Sequence, residues 1–177
     1  MRHIYCLVLL ISFSTANAQN NKVLLIGIDG CRPDALQLAT TPNMNALMAN
    51  GSYTFDAMND GITISGPGWA SLLTGVWPAK HGITDNTFVG FDILTYPHLF
   101  KRIEEFDADL NTISVCQWSP INIFLASAAA DVTVNVADHS DYVEEEAVNQ
   151  LSTGDPDVLF LHFDDVDHAG HGSGFSP

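Results

Sequence analysis

The sequence predicts an α/β fold in which a mostly parallel sheet carries helices on both faces. Three observations lead there. Two unbroken apolar runs, Lys22-Val-Leu-Leu-Ile-Gly-Ile28 and Asp157-Val-Leu-Phe-Leu-His-Phe163, read as strands. A continuous run, rather than an alternating one, marks a strand covered on both sides. Segments of strand and helix character alternate between these runs, the pattern of a parallel sheet. The composition, 46% hydrophobic and 15% charged over 177 residues, suits one domain with a sizeable core, or part of a larger one.

The first residues stand apart. Arg2 and His3 form a short polar start, Ile4 to Phe13 is mostly apolar, and Ala16-Asn17-Ala18 has the small-x-small form of a cleavage site. Residues 1–18 therefore read as a secretory signal peptide cut before Gln19. Their apolar core is shorter than the roughly 20 residues that span a bilayer. The expectation is a secreted or periplasmic protein with no membrane span in the mature chain. Val23–Ile28 is the first strand. Thr41 and Pro42 open a helix to about Asn50, with Thr41 as N-cap, Pro42 in the first turn and Gly51 as the stop. Ser52–Phe55 is a short strand candidate. Gly66–Thr74 reads as a helix closed by Gly75. Tyr96–Phe106 places Leu99, Ile103 and Phe106 at helical spacing. Asn111–Val115 reads as a strand, Ile121–Ala130 as a weakly marked helix, and Val132–Val136 as another strand. Ser140 caps an acidic helix to about Ser152, ended by Gly154-Asp155-Pro156. Val158–Phe163 is the last strand. No later element covers its side of the sheet, so residues 19–177 are expected to be the N-terminal part of a larger, truncated domain.

Net charge is −15, from 6 Lys+Arg against 21 Asp+Glu. No basic stripe is present, which excludes the usual nucleic-acid-binding surface. An acidic protein also repels anionic substrates, so phosphate chemistry here must rest on local cations, which implies metal. Most of the carboxylates read as solvated surface. Of the 3 Cys, Cys6 leaves with the leader, while Cys31 and Cys116 make neither a disulfide framework nor a zinc motif and read as packing residues.

Sites in open α/β sheets gather beyond the carboxyl ends of the strands. Asp29 directly follows the first strand, and Asp167 and His171 follow the last. If the two strands are near neighbours, the three side chains converge. Carboxylate and imidazole ligands without thiolates suit zinc, or another borderline divalent ion in a catalytic role. The Asp-x-x-Gly-His spacing lets both groups grip one ion from a tight turn, with Gly170 supplying backbone freedom. His162 alternates with apolar neighbours and reads as a satisfied core histidine. Asp164 and Asp165 read as supporting or surface groups. Between the strands, Thr63-Ile-Ser-Gly-Pro-Gly-Trp-Ala-Ser-Leu-Leu-Thr-Gly75 presents a hydroxyl just before a helix. Ser65 stands at that helix N-terminus, where partial positive charge and free N–H groups favour an alkoxide and an incoming phosphoryl group. A nearby cation lowers a hydroxyl pKa further. The alternative is that Ser65 is only a cap. Thr63 is a weaker rival, and Ser71 should face packing.

Taken together, these pieces resemble the alkaline phosphatase superfamily, and most of all its type I phosphodiesterase/nucleotide pyrophosphatase branch. Four blocks carry the resemblance: Ile26-Gly-Ile-Asp-Gly-Cys-Arg-Pro-Asp34; Thr41-Pro-Asn-Met-Asn-Ala-Leu-Met-Ala-Asn-Gly51; Ser65 to Gly75 continuing through Pro78-Ala-Lys-His-Gly-Ile83 to Asn86; and Asp167-His-Ala-Gly-His171. The resemblance implies an alkaline phosphatase-like fold and two divalent ions, for which the ligand types suit zinc. It assigns Asp29 and the Ser65 oxygen to one metal, and Asp167 and His171 to the other. It makes Ser65 the nucleophile of a covalent phospho-enzyme and Asn86 the amide that holds a phosphoryl oxygen, with a small-molecule phosphate ester as substrate. His81 matches a motif position without a ligand role. Two departures stand out. The phosphodiesterase branch usually has Thr where this chain has Ser65, so monoester and diester cleavage are equally implied. The family also completes its metals with an Asp-His pair and a further His beyond the fourth block.

Two other readings compete. A sulfatase is one, since Ser65-x-Pro67 and Leu73-Thr-Gly75 resemble its motif, although Trp69 stands where that motif has Arg. An inactive metal-binding fragment is the other. Trp69, Phe88 and Tyr96 are candidate pocket aromatics, with core packing the expectation for each.

Overall fold

A computed structural model describes residues 21–59, 61, 63–136 and 139–175. The expected signal peptide and its cleavage point lie outside the described residues. In chain order the elements are β1 (Val23–Ile28), α1 (Pro33–Leu38), α2 (Pro42–Asn50), α3 (Ser65–Thr74), α4 (Pro78–His81), α5 (Leu99–Phe106), β2 (Thr112–Cys116), a π-helical turn (Asn122–Ala126), β3 (Val132–Asn135), α6 (Ser140–Thr153), β4 (Val158–Phe163) and α7 (Asp165–Ser173). The four strands form one sheet in the order β1-β4-β2-β3, and every pairing is parallel. The α/β class and the parallel sheet are as the sequence predicts.

Strand residues alternate between the two faces, and the core divides accordingly. Ile113, Val115, Leu159 and Leu161 pack with Val143 and Ala147 of α6 on one face. Cys116 and Phe160 pack with Trp69, Ala70 and Leu73 of α3, Phe100 of α5, and Leu125 and Ala126 of the π-helical turn on the other. Because β2 and β4 are covered on both faces, nearly all their residues are buried.

Several local expectations need correction. β1 is not buried on both faces: it pairs with β4 alone among the described strands, and Val23, Leu24 and Ile26 are about half exposed, at 53%, 50% and 49%. Ser52–Phe55 is no strand. It pairs with no strand among the described residues, and Tyr53 packs edge-on against Phe55 two residues along. The helix expected from Tyr96 begins at Leu99, because Pro97 biases the residue before it towards extended backbone. His98 caps it, Nδ1 accepting from Lys101 N–H at 3.3 Å. The weak helix Ile121–Ala130 contracts to the π-helical turn, held by the buried Asn122, whose Nδ2 donates to Val134 O at 2.9 Å. Ser140 is the first helical residue rather than the cap, and its N–H donates to Asp165 Oδ2 at 3.1 Å. Thr41 occupies the N-cap of α2, but its hydroxyl is buried without a partner. Gly75 closes α3 in the left-handed conformation, φ +71°, as expected.

Candidate active site

β1 and β4 lie side by side, so the two expected ligand segments leave the same end of the sheet together. Asp29 extends the ladder, its N–H donating to Phe163 O at 2.9 Å. The chain turns at Gly30, whose φ of +70° suits glycine. A Cβ there would also lie 2.5 Å from Asp167 Cα. The missing side chain thus lets the start of α7 close against the Asp29 turn.

Asp29 gathers polar partners. Oδ1 accepts from Gly30 N–H and Oδ2 from Trp69 Nε1–H, each at 2.9 Å. The Ser65 hydroxyl also favours the ionised form of this carboxyl. His162 Nε2 stands 3.8 Å from Oδ2. Burial opposes ionisation of this carboxyl, but His162, Trp69, Ser65 and the Gly30 N–H outweigh it and bring its pKa down to about 2. It is therefore a carboxylate at neutral pH.

Ser65 is the first residue of α3, after Ile64 at the N-cap. The next N–H, of Gly66, donates to Asn86 Oδ1 at 2.7 Å. Asn86 thus crosses the helix N-terminus next to Ser65, with its oxygen engaged and its Nδ2 amide a donor. An open cavity of about 550 Å³ adjoins Asp29 and Ser65, with Met58, Thr63, Trp69 and Trp77 in its wall. Ser71 packs inside α3 as expected, hydrogen-bonded to Pro67 O and to His81 Nε2. His81 is buried and ties α4 to α3, without a place at the site.

Asp167 and His171 do pair, but the expected tight turn is a helix. They sit four residues apart on α7, His171 Nε2 3.3 Å from Asp167 Oδ2. Helical spacing itself aligns them. Gly170 supplies space rather than freedom, since a Cβ there would strike the Phe175 ring at 2.0 Å. Asp167 is largely covered, and His171 is exposed.

The residues given no ligand role by the sequence need a second correction. His162 is buried, yet its Nε2 has no hydrogen-bond partner, so it is not the satisfied core histidine expected. Asp164 is buried at 5% exposure, which fits the supporting alternative and not the surface one. Burial pushes its carboxyl pKa up, and the charges of Asp29 and Asp167 act in the same direction against His162 and His168. Asp165 accepts from Gln117 and Ser140 and anchors α7 to α6. Cys31 is exposed at the cavity wall, while Cys116 is core, its thiol pushed up to about 12 by burial. Phe88 is in the core and stacks on the half-exposed Phe124, centroids 4.8 Å apart.

Ligand atoms of Asp29, His162 and Asp164 all lie within 4.8 Å of one another. Two carboxylates beside one imidazole, with one carboxylate held ionised, suit the surroundings of a borderline divalent cation. Sequence reasoning misses Trp69 and His162 as partners of Asp29. Only the register of β1 on β4 and the rotation of α3 bring them there; the one signal in the sequence is the histidine itself, an ionisable residue within an apolar strand.

Residues 23–121 match the family model described as type I phosphodiesterase / nucleotide pyrophosphatase. Among curated proteins, the chain is 29% identical over 96 residues to a bis(5'-adenosyl)-triphosphatase of Xenopus laevis, covering 54% of this chain and 21% of that protein. It is 23% identical to the Bos taurus bis(5'-adenosyl)-triphosphatase over 89% of this chain and 39% of the relative. In fold it resembles an inactive murine ectonucleotide pyrophosphatase / phosphodiesterase 5 solved in complex with AMP, with a TM-score of 0.69 and 21% identity over 87% of this chain and 46% of that one. The chain thus spans less than half the length of each of these relatives. The matched segment covers more than half of the chain and contains Asp29 and Ser65. The chain belongs to the type I phosphodiesterase / nucleotide pyrophosphatase family, within the alkaline phosphatase superfamily.

Proposed function

We propose that residues 19–177 are the N-terminal part of the catalytic domain of a metal-dependent phosphate-ester hydrolase, with residues 1–18 a cleaved signal peptide and the mature protein secreted or periplasmic. Ser65 is the nucleophile. Asp29 and the Ser65 oxygen would hold one divalent cation, and Asp167 and His171 the other, with zinc the first choice by ligand type. The single observation that carries this reading is an ionised Asp29 at the end of β1 facing the Ser65 hydroxyl at the N-terminus of α3 across one cavity, with Asn86 alongside.

The chemistry follows from the residues. Asp29 orients the Ser65 hydroxyl, and the first turn of α3 directs partial positive charge at an incoming phosphoryl group. Asn86 Nδ2 donates to a non-bridging phosphoryl oxygen. Ser65 Oγ bonds to phosphorus as the bond to the leaving oxygen breaks, and the departing alcohol takes up a proton. Water then attacks the phosphoseryl group, restoring the hydroxyl and releasing phosphate or a phosphate monoester. Bound cations would supply a lowered hydroxyl pKa and charge neutralisation at the phosphoryl oxygens. The nucleotide names of the relatives and the aromatic wall at Trp77 favour a substrate with a planar group.

Assay of the purified protein with p-nitrophenyl phosphate, bis-p-nitrophenyl phosphate and p-nitrophenyl sulfate, each with and without chelator, tests this. The expected result is chelator-sensitive cleavage of a phosphate ester. Turnover that survives exhaustive chelation, or turnover of the sulfate alone, overturns the reading.

A further inference from the structure

We propose that Trp69 and His162 form a two-donor clamp that fixes the Asp29 carboxylate for a cation, so that both are positioning residues. The clamp begins at Gly27, which stands opposite His162 in the parallel register. A Cβ on Gly27 would lie 2.3 Å from the Trp69 ring. Its absence lets the indole of α3 settle on β1. There Trp69 meets the His162 ring edge-on, centroids 4.7 Å apart, and aims Nε1–H at Asp29 Oδ2.

His162 offers the second donor. Trp118 N–H donates to His162 Nδ1 at 3.4 Å. A ring nitrogen that accepts carries no hydrogen, so in the neutral imidazole the proton resides on Nε2. That nitrogen is fully buried, has no hydrogen-bond partner and stands 3.8 Å from the same Oδ2. Bearing a proton, it has no lone pair for a metal. Proximity alone would admit His162 as a third ligand beside Asp29 and Asp164. The hydrogen bond on its far side decides for a donor instead. Trp69 donates to Oδ2 at 2.9 Å, and the His162 Nε2–H faces the same oxygen from 3.8 Å, beyond hydrogen-bond distance in the metal-free protein; a small rotation of the carboxylate on cation binding brings the second donor into reach. Groups that orient a metal ligand in this way change metal affinity by about 10- to 100-fold.

The inference rests on Asp29 being a cation ligand, and the test separates the two. Zn²⁺ affinity is measured by competition with a chromophoric chelator, and the melting temperature of each metal-free variant is recorded alongside. Trp69→Phe keeps the ring over Gly27 and removes only the N–H. His162→Gln keeps a donor, and His162→Leu does not. Asp29→Ala should lose the site. Trp69→Phe and His162→Leu should each weaken Zn²⁺ binding about 10-fold or more, with His162→Gln within about threefold of wild type. A purely structural role would lower the melting temperature and leave affinity unmoved. Wild-type affinity in both donor-deleting variants, with binding lost in Asp29→Ala, overturns the clamp. Wild-type affinity in Asp29→Ala overturns the cation reading instead. The unmodified protein gives an independent check, free of any folding defect in His162→Leu. The indole N–H proton resonance of Trp69, identified by its loss in Trp69→Phe, should shift on Zn²⁺ saturation. A resonance that stays in place counts against the clamp.

Discussion

A mostly buried carboxylate remains ionised when enough polar groups face it: His162 and the Ser65 hydroxyl stand near Asp29, and the Trp69 indole N–H and the Gly30 N–H donate to it. The consequence for stability has a definite sign. Its pKa falls from 3.8 to about 2 on folding, so its contribution is complete above about pH 4 and lost as pH drops through 2. Urea unfolding of the metal-free protein across that window should show falling stability, and Asp29→Asn should flatten the slope. Asp164 has the opposite sign, because its carboxyl is raised by burial and like charge. Its ionised form is disfavoured in the fold, so Asp164→Asn is expected to raise the melting temperature of metal-free protein at pH 7. The most direct residue-scale prediction concerns Ser65. With Ser65→Ala, phosphate-ester turnover should fall at least about 10³-fold, as for other nucleophile deletions. Turnover within tenfold of wild type would make Ser65 only the start of a helix.

At the scale of elements, α3 and β4 do most of the positioning. α3 buries seven of its residues, among them Trp69, Ala70 and Leu73, and so presents Ser65 from a rigid support. Gly75 ends it at φ +71°, and the space a Cβ would fill there is open, so Gly75→Ala tests backbone strain alone. The expected cost is about 1 kcal/mol by chemical denaturation, from forcing an L-residue left-handed. Phe160 of β4 is fully buried between Trp69 and Phe100. Phe160→Ala should cost about 3–5 kcal/mol. The strands, α2, α3 and α6 are legible in the sequence because apolar runs, Pro at helix starts and Gly at ends are local signals. α7 is not. Asp167-His-Ala-Gly-His171 is polar and glycine-bearing, so it reads as a loop until packing against Gly30 and Phe175 makes it a helix. The burial expected of β1 fails for a related reason: apolar sequence states what a strand can bury, not what covers it.

For the molecule as a whole, a net charge of −15 would repel the anionic substrate proposed above. Raising ionic strength screens that repulsion. KM for p-nitrophenyl phosphate should therefore fall with added NaCl over the range where the Debye length shortens, while kcat changes little. A KM that rises with salt would mean that local cations outweigh the global charge. Among the described residues no helix is long and apolar enough to cross a membrane.

By itself the sequence determined the α/β class, the parallel sheet, and the four blocks that carry Asp29, Ser65, Asn86, Asp167 and His171. These follow from local hydrophobic patterning and from motif spacing, which need no knowledge of pairing. Tertiary structure alone decided that β4 inserts between β1 and β2, that Trp69 and His162 reach Asp29, and that Asp164 is buried beside them. The physical reason is that strand order and helix rotation are set by the sum of many long-range packing contacts. No short segment encodes which distant side chain its polar group will meet.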